Sequence, residues 1–227
     1  SEYLKPFFKN SDIKKFKVNN DNTKCIIFSS KDSRATKDTN IRGHLSKYRE
    51  LLEGIRETNK ESLSLWDALR RGTQNENIFN AKNVIVAPQR SGTNTFGLAE
   101  GPWFASADVY YILPKNNKVD ILFLLGLLNS KAYYFWLFKM GKRKGNSLEL
   151  YNKPLSEIPI PQSSEIEQQL VASIVQSVMN TQLTDKLYEK LNDVIFKILK
   201  LTRDEMDYID EMYSENHKKE DFLKKVS

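Results

Sequence analysis

Short apolar runs bounded by polar residues or proline predict strands in the first half of the chain. Lys24 to Phe28 and the segment KNVIVA from Lys82 to Ala87 are typical of buried strands, and Asp108 to Leu113 predicts a third strand, ended by Pro114. Between the first two lies HLSKYRELLEGIRE, whose apolar residues at helical spacing are Leu45, Tyr48, Leu52 and Ile55. A second helical turn is predicted around Leu65, Trp66 and Leu69.

The most apolar part of the chain runs from Asp120 to Met140. Its length approaches that of a membrane span, but Asn129, Ser130 and Lys131 lie at its centre. Polar and charged groups at such a position are costly in hydrocarbon. We therefore expect one buried helix across the core of the protein, and no membrane partner.

A proline-punctuated stretch, Pro154 to Pro161, predicts a stiff extended connector. Apolar stripes predict three helices after it, and capping boxes at Ser164-x-x-Glu167 and Thr202-x-x-Glu205 begin the first and the third. The fold class is thus α+β. We expect a mixed α/β domain with a small sheet and a core helix over residues 1–161, followed by a helical segment for docking or packing over residues 162–227.

The charge of the chain changes sign at the same boundary. Residues 1–161 hold 26 basic and 16 acidic side chains, a formal charge of +10, whereas residues 162–227 hold 9 and 13, a charge of −4. Long solvated helices account for an acidic tail, but they leave the basic front unexplained. The asymmetry indicates two surfaces with different partners, and the basic one favours a polyanion.

Several kinds of chemistry are missing from the sequence. Cys25 is the only cysteine and His44 and His217 are the only histidines, which excludes a disulfide framework and a cysteine zinc site and argues against a histidine metal centre. No two prolines are adjacent, so the Asn/Asp/Ser-Pro-Pro-aromatic loop of amino-methyltransferases is missing, and there is no Pro-Asp nuclease motif, P-loop or dinucleotide fingerprint. We expect no catalytic residue, metal or cofactor in this chain. No signal-peptide pattern opens it, so a cytoplasmic location is expected.

Basic and amide side chains near turns are the remaining candidates for chemistry. Arginine, glutamine and asparagine after the strand at Lys82 to Ala87 are the groups that read guanine and adenine edges, and the basic loop GKRKGNS suits phosphates. Each has a structural alternative, such as a helix-surface ion pair or an ordinary turn. The DNA-binding candidates are Arg34, Lys37, Arg42, Arg49, Arg56, Gln89, Arg90, Ser91, Asn94, Lys142, Arg143, Lys144 and Asn146.

The order of these segments resembles the TaqI-like C-terminal specificity domain, the target recognition domain of adenine-specific DNA methyltransferases and type IIG restriction-modification enzymes. The matching segments are LKPFFKNSDIKKF, HLSKYRELLEGIRE, NVIVAPQRSGTNTF, GPWFASADVYYI, LLGLLNSKAYYFWLFKMGKRKG, LSEIPIP and LYEKLNDVIFKILKLTRDEMDYID. The most specific signature combines Leu128 to Ser130, a glycine loop and Ile158 to Pro161.

The resemblance implies that the chain reads a short sequence in duplex DNA. It further implies that a methyltransferase domain, in the same polypeptide or a separate subunit, binds S-adenosylmethionine and methylates an adenine, with or without an accompanying nuclease. We then expect the chain to be a C-terminal piece of a larger protein or a separate specificity subunit. Three alternatives stay open: a protein-interaction scaffold, half of a type I restriction specificity subunit, and an RNA-binding domain that stacks bases on exposed aromatic residues.

Overall fold

The computed structural model describes residues 2–21, 24–30, 33–59, 66, 76–115, 118–145 and 147–226, leaving aside the side chains of residues 56–59, 76 and 218–226. The chain forms two compact units. The first comprises Ser1–Phe8, Asp21–Lys82 and Gly101–Phe104, and the second Lys9–Asn20, Asn83–Glu100 and Ala105–Ser227. Neither unit is continuous in sequence. The predicted division at Pro161, into a recognition domain and a helical segment for docking or packing, stays a prediction.

The first unit contains a three-stranded sheet in the order β3–β1–β7, with β1 at Leu4–Phe8, β3 at Cys25–Ile27 and β7 at Phe104–Ala105. Aromatic rings form its core: Phe8 stacks on Trp103 at 4.7 Å, and Phe28 meets Phe104 edge-on at 4.8 Å. The strand predicted at Lys24 to Phe28 is therefore present, one residue shorter at each end.

The helix predicted at HLSKYRELLEGIRE is divided in two. Helix α1 (Thr39–Leu45) begins at Asp38, whose carboxylate accepts from the backbone N–H groups of Asn40 and Ile41. A single 3-10 turn at Ser46–Tyr48 separates it from α2 (Arg49–Asn59). Two of the DNA-binding candidates, Arg42 and Arg49, therefore lie on different helices. Of the second predicted helical turn only Trp66 is described.

The second unit is built on a four-stranded sheet in the order β2–β6–β4–β8. These strands are β2 (Phe16–Lys17), β4 (Asn83–Pro88), β6 (Gly97–Glu100) and β8 (Val109–Ile112). Strand β4 pairs antiparallel with β6 and β8, and β2 pairs parallel with β6. Residues 84–88 are all buried, as the continuous apolar run KNVIVA predicts.

The predicted single core helix is instead two helices, α3 (Ile121–Asn129) and α4 (Lys131–Met140), which meet at 65°. Ser130 has extended backbone angles, and its hydroxyl accepts from the N–H of Tyr133, so it starts a new helix as an N-cap. No single described helix is long and apolar enough to span a membrane, although this bent pair passes by length and composition.

Lys131 follows the break and is buried, with Nζ 2.8 Å from Glu189 Oε1 and 2.9 Å from Asp210 Oδ1. Burial acts to lower the pKa of Lys131, but hydrogen bonds to these two carboxylates outweigh it and raise the pKa above its ordinary value. The break between α3 and α4 is therefore tied to the C-terminal helices.

The three helices predicted after Pro161 are present as α6 (Glu165–Asn180), α7 (Asp185–Ile198) and α8 (Arg203–Val226). Both predicted capping boxes form: Glu167 accepts from the backbone of Ser164, and Glu205 from the backbone of Thr202. Helix α6 packs directly on α3, where a Cβ at Gly126 would lie 2.6 Å from Val171 Cγ1. The predicted mixed α/β class with a C-terminal helical segment is confirmed.

The connector is only partly extended. Helix α5 (Asn152–Ser156) includes Pro154. A proline is tolerated there because the N–H groups of the first helical turn form no intrahelical hydrogen bond, so the missing N–H of proline costs none. Beyond it the chain lies against α4, where the hydroxyl of Tyr133 donates to the carbonyl of Pro159 at 2.6 Å.

Candidate nucleic-acid interface

The candidate interface begins where the buried strand β4 ends. Gln89 follows it and is held on both sides: its N–H donates to the carbonyl of Asp108, and its carbonyl accepts from Leu150. The next two residues form β5 (Arg90–Ser91) and pair with β10 (Ser147–Glu149). Arg90 thus lies in a strand that is hydrogen-bonded to β10, and its side chain is exposed.

The basic segment predicted as a flexible loop is instead a strand, β9 (Lys142–Lys144), hydrogen-bonded to β10. Alternate residues of a strand face the core and the solvent. The buried, apolar Leu148 of β10 must face the core, which fixes the register in which β10 pairs with β9. Gly145, directly after β9, has a φ of +60°, a backbone conformation that glycine adopts without strain. Asn146 lies outside the described residues.

The sheet β5–β10–β9 brings together candidates that are far apart in sequence. Glu149 is opposite both Arg90 and Lys142, and Leu148 is opposite both Ser91 and Arg143. Leu148 is buried, so alternation places Arg90 and Lys142 on the face turned away from the core. All three side chains of β9 are exposed, and Arg143 lies over the ring of Phe138 at 4.1 Å.

Arg90 is held in place by two residues that no sequence motif marks. Its Nε lies 3.3 Å from Glu149 Oε1, and its Nη2 lies 3.1 Å from the hydroxyl of Tyr151. The Tyr151 hydroxyl in turn donates to Glu149 Oε1 at 3.1 Å. Contact with the Tyr151 hydroxyl and the charge of Glu149 raise the pKa of Arg90, so the guanidinium is charged at every accessible pH.

A polar groove of about 390 Å³ lies beside Arg90. It is lined by Asn10, Ser11, Ile13, Lys14, Lys15, Pro88, Arg90, Ser91, Gly92, Thr93 and Thr95. Lys14 is exposed at its wall, whereas Lys15 is partly buried. The segment around these two lysines gave no signal of a site in the sequence, because isolated lysines near a chain start are usual on any surface.

Asn94 is fully buried, unlike its neighbours in the candidate segment. Its side-chain amide donates to the carbonyls of Leu128 and Ser130, and its Oδ1 accepts from Lys15 Nζ. Both amide hydrogens are therefore used within the protein. Its place in the structure is that of a brace for the loop, and as placed it presents no group to a base edge.

The groove is also connected to the C-terminal helices. Lys15 Nζ lies 3.2 Å from the hydroxyl of Tyr188 on α7 and 3.3 Å from that of Tyr213 on α8. On α8, His217 Nε2 is 3.0 Å from the hydroxyl of Thr93. Burial raises the pKa of Tyr188 well above its ordinary value, so its hydroxyl stays protonated. These helices position the loop that carries the candidate residues.

The remaining candidates belong to the first unit. Lys37 and Arg42 are exposed, and Arg34 is partly buried just before a 3-10 turn. Arg49 forms an ion pair with Glu53 at 3.0 Å and lies 5.2 Å from the ring of Trp66, which is the helix-surface alternative considered for it. The side chain of Arg56 lies outside the described part of the chain.

Two other kinds of site, a metal centre and a base-stacking platform, can be compared with the part of the chain that the structure describes. No three histidine, cysteine or carboxylate side chains come together there to hold a metal ion. Of the aromatic residues that could form a base-stacking platform, Tyr133 and Tyr134 are buried, whereas four others are partly exposed: Tyr110, Tyr111, Phe135 and Trp136. The exposed and partly exposed candidates of the second unit therefore remain as the strongest cluster.

Comparison with known proteins places this geometry in a context. The family described as the TaqI-like C-terminal specificity domain matches residues 5–160. Among curated proteins, the type II methyltransferase M.MjaIV of Methanocaldococcus jannaschii is 29% identical over 165 residues, which cover 72% of this chain and 55% of that protein. M.HincII of Haemophilus influenzae is 29% identical over 112 residues, or 47% of this chain and 22% of that one.

A solved structure shares the fold at low sequence identity. The type IIL restriction-modification enzyme MmeI, solved in complex with DNA, matches with a TM-score of 0.63 and 12% identity. The match covers 96% of this chain and 31% of that one. The chain thus spans about half the length of M.MjaIV and smaller parts of the other two proteins.

Proposed function

The chain belongs to the family of TaqI-like C-terminal specificity domains, and on that premise we propose that it recognises a short sequence in duplex DNA for a restriction-modification methyltransferase. One observation carries the proposal. The sheet β5–β10–β9 carries Arg90 and Ser91 on one outer strand and the three cations of β9 on the other, so that one small sheet of the second unit brings them together.

The two parts of this sheet suit two different tasks. Lys142 and Lys144 are exposed and form no ion pair with a carboxylate among the described residues, so they are suited to phosphates. Arg90 is anchored by protein groups and so suits a contact that depends on position. The groove beside Arg90 adds hydroxyls and a further exposed lysine, Lys14.

Catalysis is assigned to a methyltransferase part outside this chain. That part binds S-adenosylmethionine and receives an adenine flipped out of the duplex. The relatives named above support this arrangement, because they are methyltransferases that extend well beyond the matched region. The acidic helices α6 to α8 are the surface we assign to docking on the catalytic part.

Selection of bound duplexes from a randomised pool tests the proposal. The 227-residue chain is incubated with the pool at low and at near-physiological salt, and the bound fraction is sequenced. Enrichment of one short motif that persists at the higher salt is the expected result, because base contacts add specificity to the salt-sensitive phosphate contacts.

A single-stranded RNA competitor is the matched control, since it carries phosphates without a readable major groove. Binding of duplexes without any enrichment contradicts specific recognition by this chain. Failure to bind at either salt favours the interaction scaffold.

A further inference from the structure

Three hydrogen bonds form a closed ring at one edge of the Arg90 guanidinium. Arg90 donates through Nε to Glu149 Oε1 and through Nη2 to the Tyr151 hydroxyl, and Tyr151 donates to the same carboxylate oxygen. An arginine only donates and a carboxylate only accepts, so the direction of every bond is determined. The tyrosine proton must point at Glu149, which leaves a hydroxyl lone pair for Arg90.

The ring uses one edge of the guanidinium and leaves the other. Nε and the adjacent hydrogen of Nη2 are engaged, while Nη1 and the second hydrogen of Nη2 form a separate edge with two parallel donors. Among the described residues, no acceptor is hydrogen-bonded to Nη1. The side chain of Arg90 is 46% exposed whereas that of Glu149 is 12% exposed, so the ring is anchored on the protein side.

Packing around Tyr151 and strand pairing around Glu149 hold the hydrogen-bonded ring in place. The aromatic ring of Tyr110, on the edge strand β8, lies edge-on to that of Tyr151 with 6.3 Å between centroids. Glu149 is fixed in β10 between β5 and β9. Arginine has many rotamers, and this framework orders it before any ligand arrives, which reduces the entropy lost on binding.

Two parallel donors on a fixed guanidinium match the O6 and N7 acceptors that guanine presents in the major groove. Adenine places an amino donor beside its N7, and that donor opposes one of the two hydrogens. A phosphate also accepts such a pair, but β9, on the other side of β10, already supplies three exposed cations, none of which forms an ion pair with a carboxylate among the described residues. A guanidinium that is held in one orientation, and whose charge is partly balanced by Glu149, is better suited to a directional contact with a base than to the binding of phosphate by net charge.

We propose that Arg90 reads a guanine in the major groove, that Glu149 and Tyr151 are its positioning residues, and that the recognised sequence contains a G·C pair at this point. This inference rests on the proposed function and assigns one contact within it. The hydroxyl of Tyr151 is the decisive group, because its loss removes an acceptor from Arg90 and a donor from Glu149 at once.

The test starts from the motif that the wild-type chain selects. Dissociation constants are measured for that duplex and for duplexes with each base pair replaced, using wild type, Arg90→Ala, Tyr151→Phe and the double variant. Arg90→Ala is expected to lose about 5- to 150-fold of discrimination at one G·C pair. Tyr151→Phe is expected to lose a part of the same discrimination at the same pair, with affinity for random duplex unchanged and no further loss in the Arg90→Ala background.

Tyr110→Phe is the matched control, because it removes a hydroxyl from the adjoining ring without touching Arg90. Replacing the guanine by 7-deazaguanine removes one acceptor and is expected to weaken wild type but not Arg90→Ala. Equal thermal unfolding of the tyrosine variants excludes a general loss of structure.

Three outcomes overturn the inference. If wild type selects a motif in which no G·C pair responds to Arg90→Ala, or if Tyr151→Phe weakens all duplexes equally, the guanine contact is wrong while specific recognition stands. If wild type selects no motif, the proposed function fails and the guanine contact fails with it.

Discussion

Asn94 and Asn129 brace the same two segments from opposite sides. The amide of Asn94 donates to the carbonyls of Leu128 and Ser130, which flank Asn129 in the chain. The side chain of Asn129 in turn accepts from the N–H of Phe96 and donates to its carbonyl, two residues beyond Asn94. The signature Leu128 to Ser130 therefore holds the loop of the candidate interface against the break between α3 and α4.

Replacement of Asn129 by leucine should destabilise the protein. The buried N–H of Phe96 would lose its acceptor, whereas the carbonyl of Phe96 would still accept from the N–H of Phe16. An unpaired buried group destabilises by about 1–3 kcal/mol. The free energy of unfolding in urea measures the effect. Asn40→Ala, an exposed asparagine on α1, is the control and should change it by less than about 0.5 kcal/mol. An equal effect of both changes contradicts the brace.

Gly126→Ala and Gly43→Ala should have opposite effects. A Cβ at Gly126 would lie 2.6 Å from Val171 Cγ1 and 3.0 Å from Val175 Cγ2, so α3 and α6 must separate, at roughly 1–3 kcal/mol. A Cβ at Gly43, on α1, has nothing within 4 Å and should stabilise by about 0.5–1 kcal/mol through helix propensity. Urea unfolding of both variants checks this, and stabilisation by Gly126→Ala would show that the helices pack less closely.

Changing Lys142, Arg143 and Lys144 together to glutamine should weaken binding to all duplexes alike. Each lost phosphate contact lowers the slope of log affinity against log salt by about 0.9, so the expected change is up to about 3. Binding titrations at several salt concentrations measure it.

The control for that change removes three charges elsewhere. Lys186, Lys190 and Lys197 are exposed on α7, and their replacement by glutamine should leave the slope unchanged. If both triple variants flatten the slope equally, net charge rather than the position of β9 determines binding.

The two capping boxes should make stability depend on pH in the acid range. The backbone N–H of Ser164, followed by its hydroxyl, lowers the pKa of Glu167 below its ordinary value, and Thr202 acts in the same way on Glu205. A carboxylate whose pKa is lowered on folding stabilises the folded state at pH values above its ordinary pKa of 4.5. This stabilisation is lost as the pH falls through the pKa of the folded state.

The double change Glu167→Gln with Glu205→Gln should therefore destabilise more at neutral pH than at an acid pH below 4.5, where the carboxylates begin to be protonated. Urea unfolding at both pH values measures the difference. Glu165→Gln, an exposed first-turn glutamate without a capping bond, is the control. A difference that persists at the lower pH contradicts a contribution from the carboxylate charges.

Local chemistry made parts of the fold predictable. The apolar run at Lys82 to Ala87 became a buried strand, and the spacing of Ser164 and Glu167 gave a helix start, because both depend on residues near each other in sequence. The break at Ser130 shows the limit. Its hydroxyl can cap a helix or point into an uninterrupted one, and the partners of Lys131 that favour the break come from α7 and α8.

The candidate site was predictable in its residue types and not in its geometry. Arg90 and Glu149 are 59 residues apart, and only the pairing of β5 with β10 brings them together. Asn94 lies in a hydrophilic stretch that looks exposed in sequence, whereas its amide is fully used inside the protein. Neither relationship follows from periodicity, since both depend on contacts between distant segments.

Strand β9 lies at the edge of its sheet, and that position has a consequence apart from DNA. An edge strand offers unpaired backbone groups on which a second chain can build a β-ribbon, the first step of aggregation. Three consecutive cations make such an addition unfavourable, because an identical strand would bring like charges together. The residues that we assign to phosphate binding thus also disfavour self-association of the protein through this edge strand.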